Sequence, residues 1–388
     1  MKQFDYFAPT EIFFGVGRIA EIGEITAQYG KKALLVTGSG RSERSELYDR
    51  VGKYLNEAGV SCVHYAEVTP NPTTDIVTEA AGIAVSEGVD VVVGLGGGSA
   101  IDTAKAVAVE AVHSGTAWDY NCHTCGPTKK TLPIIAVGTT AGTGSQTTPC
   151  AVITKTSECD KSAIWHRNIF PRAAVIDPEL TLSMPKQVTA QTGFDAFCHN
   201  FEAYLSKNTN VFVECMALEA MRIIVEYLPK VLQDGDDLEA RSQMAWADTL
   251  GGLTNASAGV TLPHGLGMQI GGHCPHVTHG QSLAVFYPAF THYTCTSAEH
   301  KFAVVGRIFD SSLDKEPDES AAWKCCESID AFLKKIGLWI DFRGLNVTKE
   351  DIRAIADCGQ VLGDYANNPR VATIPEMYDL LLSCYERE

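Results

Sequence analysis

The chain has 388 residues, 45% hydrophobic and 20% charged, with a formal net charge of −16. That length exceeds what one hydrophobic core usually serves, so two domains are expected. The acidic balance disfavours nonspecific binding to nucleic acid or an anionic membrane, since both need a basic surface. No apolar run reaches transmembrane length, and Met1-Lys2-Gln3-Phe4-Asp5 lacks the apolar core of a signal peptide, so a cytoplasmic location is expected. The 13 cysteines are scattered without the spacing of a disulfide framework and are read as reduced thiols. Cys122-His123-Thr124-Cys125 is a lone CxxC with no second pair, a weak signal for zinc or redox chemistry.

In chain order, Ala33-Leu34-Leu35-Val36-Thr37 is a short apolar run ended by Gly38-Ser39-Gly40, which predicts a buried strand and a turn. A helix through Leu47, Val51, Tyr54 and Leu55 leads to a second strand from Val60 to Tyr65. Thr74 to Glu87 has Ile76, Ala80, Ile83 and Ala84 on one helical face. Asp90 to Leu95 is a further strand, Ile101 to Val112 a helix, and Leu132 to Val137 another strand. Strands separated by helices of this length imply a parallel sheet covered on both faces. From about Pro185 the apolar spacing becomes helical, through Val188 to Leu205, Val211 to Leu228, Leu238 to Ala258, Ala298 to Phe309, Ala321 to Ile336 and Ile374 to Tyr385. The expected organisation is an α/β N-terminal domain over 1–184 followed by an all-α C-terminal domain over 185–388, with the site in the cleft between them.

Gly94-Leu95-Gly96-Gly97-Gly98-Ser99-Ala100-Ile101-Asp102 joins a buried strand to a helix. Glycines there admit close approach of a ligand, and the unpaired N–H groups of a helix start favour phosphate oxygens. The pattern is not GxGxxG. A plainer reading is a tight turn with Ser99 as N-cap and Asp102 completing a capping box. A second small-residue stretch, Gly138-Thr139-Thr140-Ala141-Gly142-Thr143-Gly144-Ser145, follows the next strand and suits a polar ligand in the same crevice.

Gly193-Phe194-Asp195-Ala196-Phe197-Cys198-His199 places a carboxylate and an imidazole four residues apart in a helical segment, where they share a face. Of the 11 histidines, four fall between 264 and 279: His264, His273, His276 and His279. An isolated Asp–His pair is more often a solvated acid beside a hydrogen-bonded imidazole. Two more imidazoles would complete an Asp-His-His-His set of the kind that binds Fe²⁺ or Zn²⁺ and leaves a position open for substrate. Spacing alone does not choose which two.

These residues match a known family. The chain resembles the iron-dependent (group III) alcohol dehydrogenases over essentially its whole length. The matching stretches are Phe13-Phe14-Gly15, Pro70-Asn71-Pro72, Gly96 to Asp102, Thr139 to Ser145, Asp177-Pro178-Glu179-Leu180, Gly193-Phe194-Asp195 with His199, Glu202-Ala203-Tyr204, and Asn368-Pro369-Arg370. The resemblance implies a dehydroquinate-synthase-like fold, a homodimer, and hydride transfer between a small alcohol or its aldehyde or ketone and NADP or NAD. It maps the metal ligands onto Asp195, His199, His264 and His279. The cofactor-binding turn starts at Gly96, with the pyrophosphate on Gly97, Gly98 and Ser99 and the rest of the cofactor beside Asp102, Thr139, Thr140, Thr143 and Lys161.

The chain departs from the family pattern in two ways. The last two ligand histidines are one residue further apart than usual, and Met268 stands where the family places a proton-relay His. His273 and His276 are the candidates to replace it. After the strand ending at Thr37, the Asp that holds an adenosine 2′-hydroxyl in NAD-preferring members is absent. Gly38, Ser39, Gly40 and Arg41 stand there, which favours NADP, with Ser39 or Arg41 on its phosphate. Two neighbouring chemistries share the fold: glycerol-dehydrogenase-like polyol oxidation, and a dehydroquinate-synthase-like lyase. The scarcity of Lys and Arg near the ligands disfavours the second.

Overall fold

A computed structural model of the chain describes residues 3–39, 41–121, 124 and 126–387, without the side chains of 41–44. Gly40, the Arg41 side chain, Cys122, His123 and Cys125 therefore lie outside the described residues. The chain divides into two compact units, one of Phe7–Ser183 and one of Met184–Glu388 joined by Met1–Tyr6.

The first unit runs β1 (Glu11–Phe14), α1 (Ile22–Ala27), β2 (Lys32–Gly38), α2 (Arg41–Glu57), β3 (Ser61–Val68), α3 (Thr74–Glu87), β4 (Val91–Gly96), α4 (Gly98–Glu110), β5 (Ile134–Gly138), β6 (Cys150–Lys155), β7 (Asp160–Trp165) and β8 (Ala173–Ile176). Six strands form one parallel sheet in the order β1-β8-β5-β4-β2-β3. Successive residues of a strand face opposite sides, so its apolar runs serve two cores. Leu34 and Val92 pack with Val77, Ala104 and Val107 of α3 and α4. Leu35 and Val93 pack with Ile22 and Val51 of α1 and α2 on the other face. The chain moves outward from β2 to β3, then returns past β2 to β4. That reversal puts a crevice at the carboxyl ends of β2 and β4, the usual ligand position in such sheets. The antiparallel β6–β7 hairpin lies apart from this sheet.

The second unit holds α5 (Lys186–Leu205), α6 (Val211–Gln233), α7 (Leu238–Ala258), α8 (Leu262–His273), α9 (His279–Thr294), α10 (Glu299–Phe309), α11 (Asp318–Lys335), α12 (Lys349–Asp357) and α13 (Ile374–Ser383). Helix α5 is buried along most of its length and carries two stripes. Phe194, Phe197 and Phe201 meet Tyr287 of α9 with ring centroids 5.1, 6.4 and 6.3 Å away. Asp195, His199 and Glu202, spaced i, i+4 and i+7, share a different face.

Candidate metal centre and nucleotide turn

Asp195 Oδ1 is the hub of the polar stripe. It lies 3.6 Å from His199 Nδ1, 3.4 Å from His264 Nε2 and 3.7 Å from His279 Nε2. The ring centroids of His199 and His264 are 4.5 Å apart, and those of His264 and His279 are 5.2 Å apart. Asp195, His199 and His264 are 3, 5 and 6% exposed, so the group is withdrawn from water.

Two local devices bring His264 and His279 to α5. Thr261, the N-cap of α8, gives that helix no side-chain cap. Glu202 supplies one from α5: Oε2 accepts from Thr261 N at 2.8 Å, from Thr261 Oγ1 at 3.2 Å and from His264 N at 3.4 Å. Its other oxygen accepts from His264 Nδ1 at 2.8 Å, which turns Nε2 toward Asp195. The α9 start is fixed by a capping box between Thr278 and Gln281, and Thr278 Oγ1 also donates to Gln191 Oε1 at 3.0 Å. Gly280 permits the contact, because a Cβ there would stand 2.7 Å from the Gln191 carbonyl oxygen.

Burial opposes the Asp195 charge, but His199, His279 and His264 outweigh it and hold the carboxyl at about 2. Burial likewise opposes a charge on His264, yet Glu202 and Asp195 push it up to about 10. Both displacements describe a pocket that attracts positive charge. Asp195 Oδ1 and His264 Nε2 are buried and make no aligned hydrogen bond with any neighbour. Donor atoms sharing one divalent ion at bonds of about 2.1 Å sit about 3.4 Å apart in tetrahedral geometry, so the observed spacings suit such an ion. The donor set fits a divalent transition metal.

In the α/β unit, three loops leave the carboxyl ends of neighbouring strands, with Thr37 opposite Leu95 and Gly96 opposite Gly138. Gly97, not Ser99, is the N-cap of α4, and no side chain caps it. The helix start is therefore left to its own N–H groups, and the capping reading of Ser99 and Asp102 fails. Asp102 instead accepts from Ser145 Oγ at 2.6 Å and from Val152 N at 3.1 Å. The glycines answer to the threonines of the next loop. A Cβ on Gly98 would lie 2.7 Å from Thr143 Cγ2, and one on Gly97 would lie 3.3 Å from Thr140 Cγ2. Thr139 is buried and extends the ladder through its N–H to Gly96 O at 2.8 Å. Lys161 is also buried, and its Nζ donates to Asn71 Oδ1 at 2.8 Å. Gly38 ends β2, and Ser39 N donates to Val68 O at 3.0 Å.

His273 and His276 are placed differently from the relay expected of them. His273 ends α8, nine residues from His264, or about 13 Å along the helix axis. His276 meets the Leu345 carbonyl at 3.0 Å, and Asp351 of α12 is held low by its own helix-cap bonds, with both imidazoles adding to the effect. The structure joins them to that surface and not to Asp195. Sequence reasoning missed the capping role of Glu202, the contact made by Gly280, and Asp364, whose carboxyl burial pushes up to about 6 despite the opposing pull of His264. The signal for Glu202 was present: it stands seven residues after Asp195 on the same helical face.

Two family models match the chain: "Iron-containing alcohol dehydrogenase" over residues 9–178, and "Fe-containing alcohol dehydrogenase family, C-terminal" over residues 189–385. The chain is 31% identical to an NAD-dependent methanol dehydrogenase of Bacillus methanolicus across 97% of its own length and 98% of that protein's. It is 33% identical to a 1,3-propanediol dehydrogenase of Klebsiella pneumoniae, with 95% of each covered. Its fold matches an archaeal halo-thermophilic alcohol dehydrogenase from a Red Sea brine pool, with a TM-score of 0.94 at 33% identity, covering 99% of this chain and 100% of that one.

Proposed function

The chain belongs to the iron-containing alcohol dehydrogenase family, and from that premise we propose that Asp195, His199, His264 and His279 hold its metal while the turns after β2, β4 and β5 hold its nicotinamide cofactor. The reaction is metal-dependent interconversion of an alcohol with its aldehyde or ketone. The observation that carries the ligand assignment is the convergence of three imidazole nitrogens on the buried Asp195 Oδ1, with Asp195 Oδ1 and His264 Nε2 making no aligned hydrogen bond among the described residues.

When bound, a divalent ion supplies a Lewis acid for the substrate oxygen, and the nicotinamide accepts or donates the hydride. The chain's own residues prepare both. Asp195 contributes the negative charge that retains a cation, and Glu202 fixes His264 in the tautomer that presents Nε2. Burial of the cluster keeps bulk water from competing for the same oxygen. The N–H groups at the start of α4 offer phosphate oxygens a partner at the positive end of the helix dipole. Lys161 adds a positive charge in the same unit.

The finer assignments are readings supported by the residues present. The same ligand chemistry accepts Fe²⁺ or Zn²⁺. Gly38 and Ser39 put no carboxylate after β2, which leaves NADP admissible beside NAD. The activities named for the methanol and propanediol dehydrogenases support short alcohols and diols as substrates. We also assign a homodimer and a cytoplasmic location. No helix among the described residues is long and apolar enough to cross a membrane. Metal analysis of anaerobically purified protein, paired with an aldehyde panel run with NADH and NADPH, tests the reading. Metal-dependent turnover of at least one short aldehyde is expected. Turnover unaffected by chelation would refute it.

A further inference from the structure

Lys105 is fully buried in α4, one turn after Asp102. Its ammonium has three N–H donors. Five oxygens surround it: Cys150 O at 2.6 Å, Ser145 O at 2.7 Å, Ser145 Oγ at 2.9 Å, Thr148 O at 3.0 Å and Thr148 Oγ1 at 3.4 Å. Asp102 Oδ1 is a sixth neighbour at 3.9 Å. Three of the oxygens are backbone carbonyls of one short segment, all turned inward. Convergent carbonyl dipoles of this kind replace the hydration shell of a monovalent ion such as K⁺. Ser145 O also accepts from Thr148 N at 3.3 Å, so the ammonium takes its remaining lone pair and draws the three carbonyls to one focus.

That segment is the direct continuation of the loop whose Thr140 and Thr143 lie over Gly97 and Gly98. Asp102 holds its near end through Ser145 Oγ and its far end through Val152 N. One turn of α4 thus grips the segment by an anion and a cation.

We propose that Lys105 is a covalently tethered monovalent cation that positions the threonine loop for the nicotinamide nucleotide. The inference rests on the reading that the turns after β4 and β5 hold that nucleotide. Lys105 is a positioning residue: it acts through the 145–150 segment and not by touching the cofactor. Its role differs from that of an ordinary core side chain in one testable respect, because a free ion of similar size should replace it.

The test measures NADH and NADPH binding by fluorescence to the full-length, metal-loaded protein. Lys105→Ala should weaken binding by about tenfold or more, the range expected for removing hydrogen bonds from a charged donor. Ammonium or potassium chloride should restore it, while tetramethylammonium chloride at equal ionic strength should not. Lys105→Met fills the same space without charge, so it should lose affinity and gain nothing from either salt. Wild-type protein that binds neither nucleotide would defeat the nucleotide reading itself. Wild-type binding together with unchanged binding in both variants would overturn only the assignment to Lys105. So would a loss in Lys105→Ala that no cation restores. If the alanine variant fails to fold, the methionine variant decides. Failure of both to fold would place Lys105 in the service of the core and overturn the proposal.

Discussion

Glu202 Oε1 and His264 Nδ1 are joined by a 2.8 Å hydrogen bond in which the carboxylate is fully buried. The same carboxylate caps the first turn of α8 through Thr261 and His264. One side chain therefore sets both the rotation of the imidazole and the position of the helix that bears it.

Replacing Glu202 by Gln keeps the shape but removes the charge. Loss of such a supporting partner typically costs about 10–100-fold in metal affinity. Competition with a chelator checks this, with circular dichroism as the control for folding. Metal affinity equal to wild type would show that His264 needs no such orientation.

Gly280 presses the start of α9 onto α5 at Gln191, and His279 is its neighbour in sequence. Gly280→Ala must open that contact, since the new Cβ would stand 2.7 Å from both the Gln191 carbonyl oxygen and its Cβ. The expected result is weaker metal retention with nucleotide binding unchanged. Metal dissociation rates and NADH fluorescence separate the two.

In the other unit, Gly98→Ala sets a methyl against Thr143. Nucleotide affinity should fall by about tenfold, the range expected for forcing a methyl into a packed site, with metal content unaffected. Adding Thr143→Ala should restore the space and part of the affinity. Binding titrations of the single and double variants decide.

Glu376 closes the capping box of α13, accepting from Thr373 N and Thr373 Oγ1, each at 2.9 Å. Those bonds, assisted by Arg370, hold its carboxyl at about 2, below the ordinary 4.5. A depressed carboxyl stabilises the fold above its unfolded pKa and loses that contribution as pH falls from about 4.5 toward about 2. The group is partly exposed, so solvent screens the effect and it stays local. The protection of the α13 amides, taken as their exchange relative to the intrinsic rate at each pH, should fall through that window. In Glu376→Gln that protection should stay constant across it.

The sequence revealed those parts whose signal is local. Valine- and alanine-rich runs ended by glycine marked β2, β4 and β5, and the Asp195–His199 spacing marked one face of α5. Helices α8 and α9 were not read as helices. Gly265, Gly267, Gly271 and Gly272 give α8 low intrinsic propensity, and packing against α9 and α12 supplies what propensity lacks. Lys105 sits between two alanines in a helical pattern, and nothing beside it in sequence marks it as buried. Its burial depends on a loop 40 or more residues later in the chain. His273 and His276 drew attention through clustering in sequence, but a helix separates residues nine apart by length as well as by face.

The central claim is that Asp195 and the imidazoles around it retain the ion on which turnover depends. Metal content and aldehyde reduction measured together in wild-type and Asp195→Ala protein test it most directly, with NADH binding as the control for folding. The account predicts that the variant binds nucleotide but loses metal and turnover together. An Asp195→Ala protein free of metal and reducing aldehyde at the wild-type rate would contradict it.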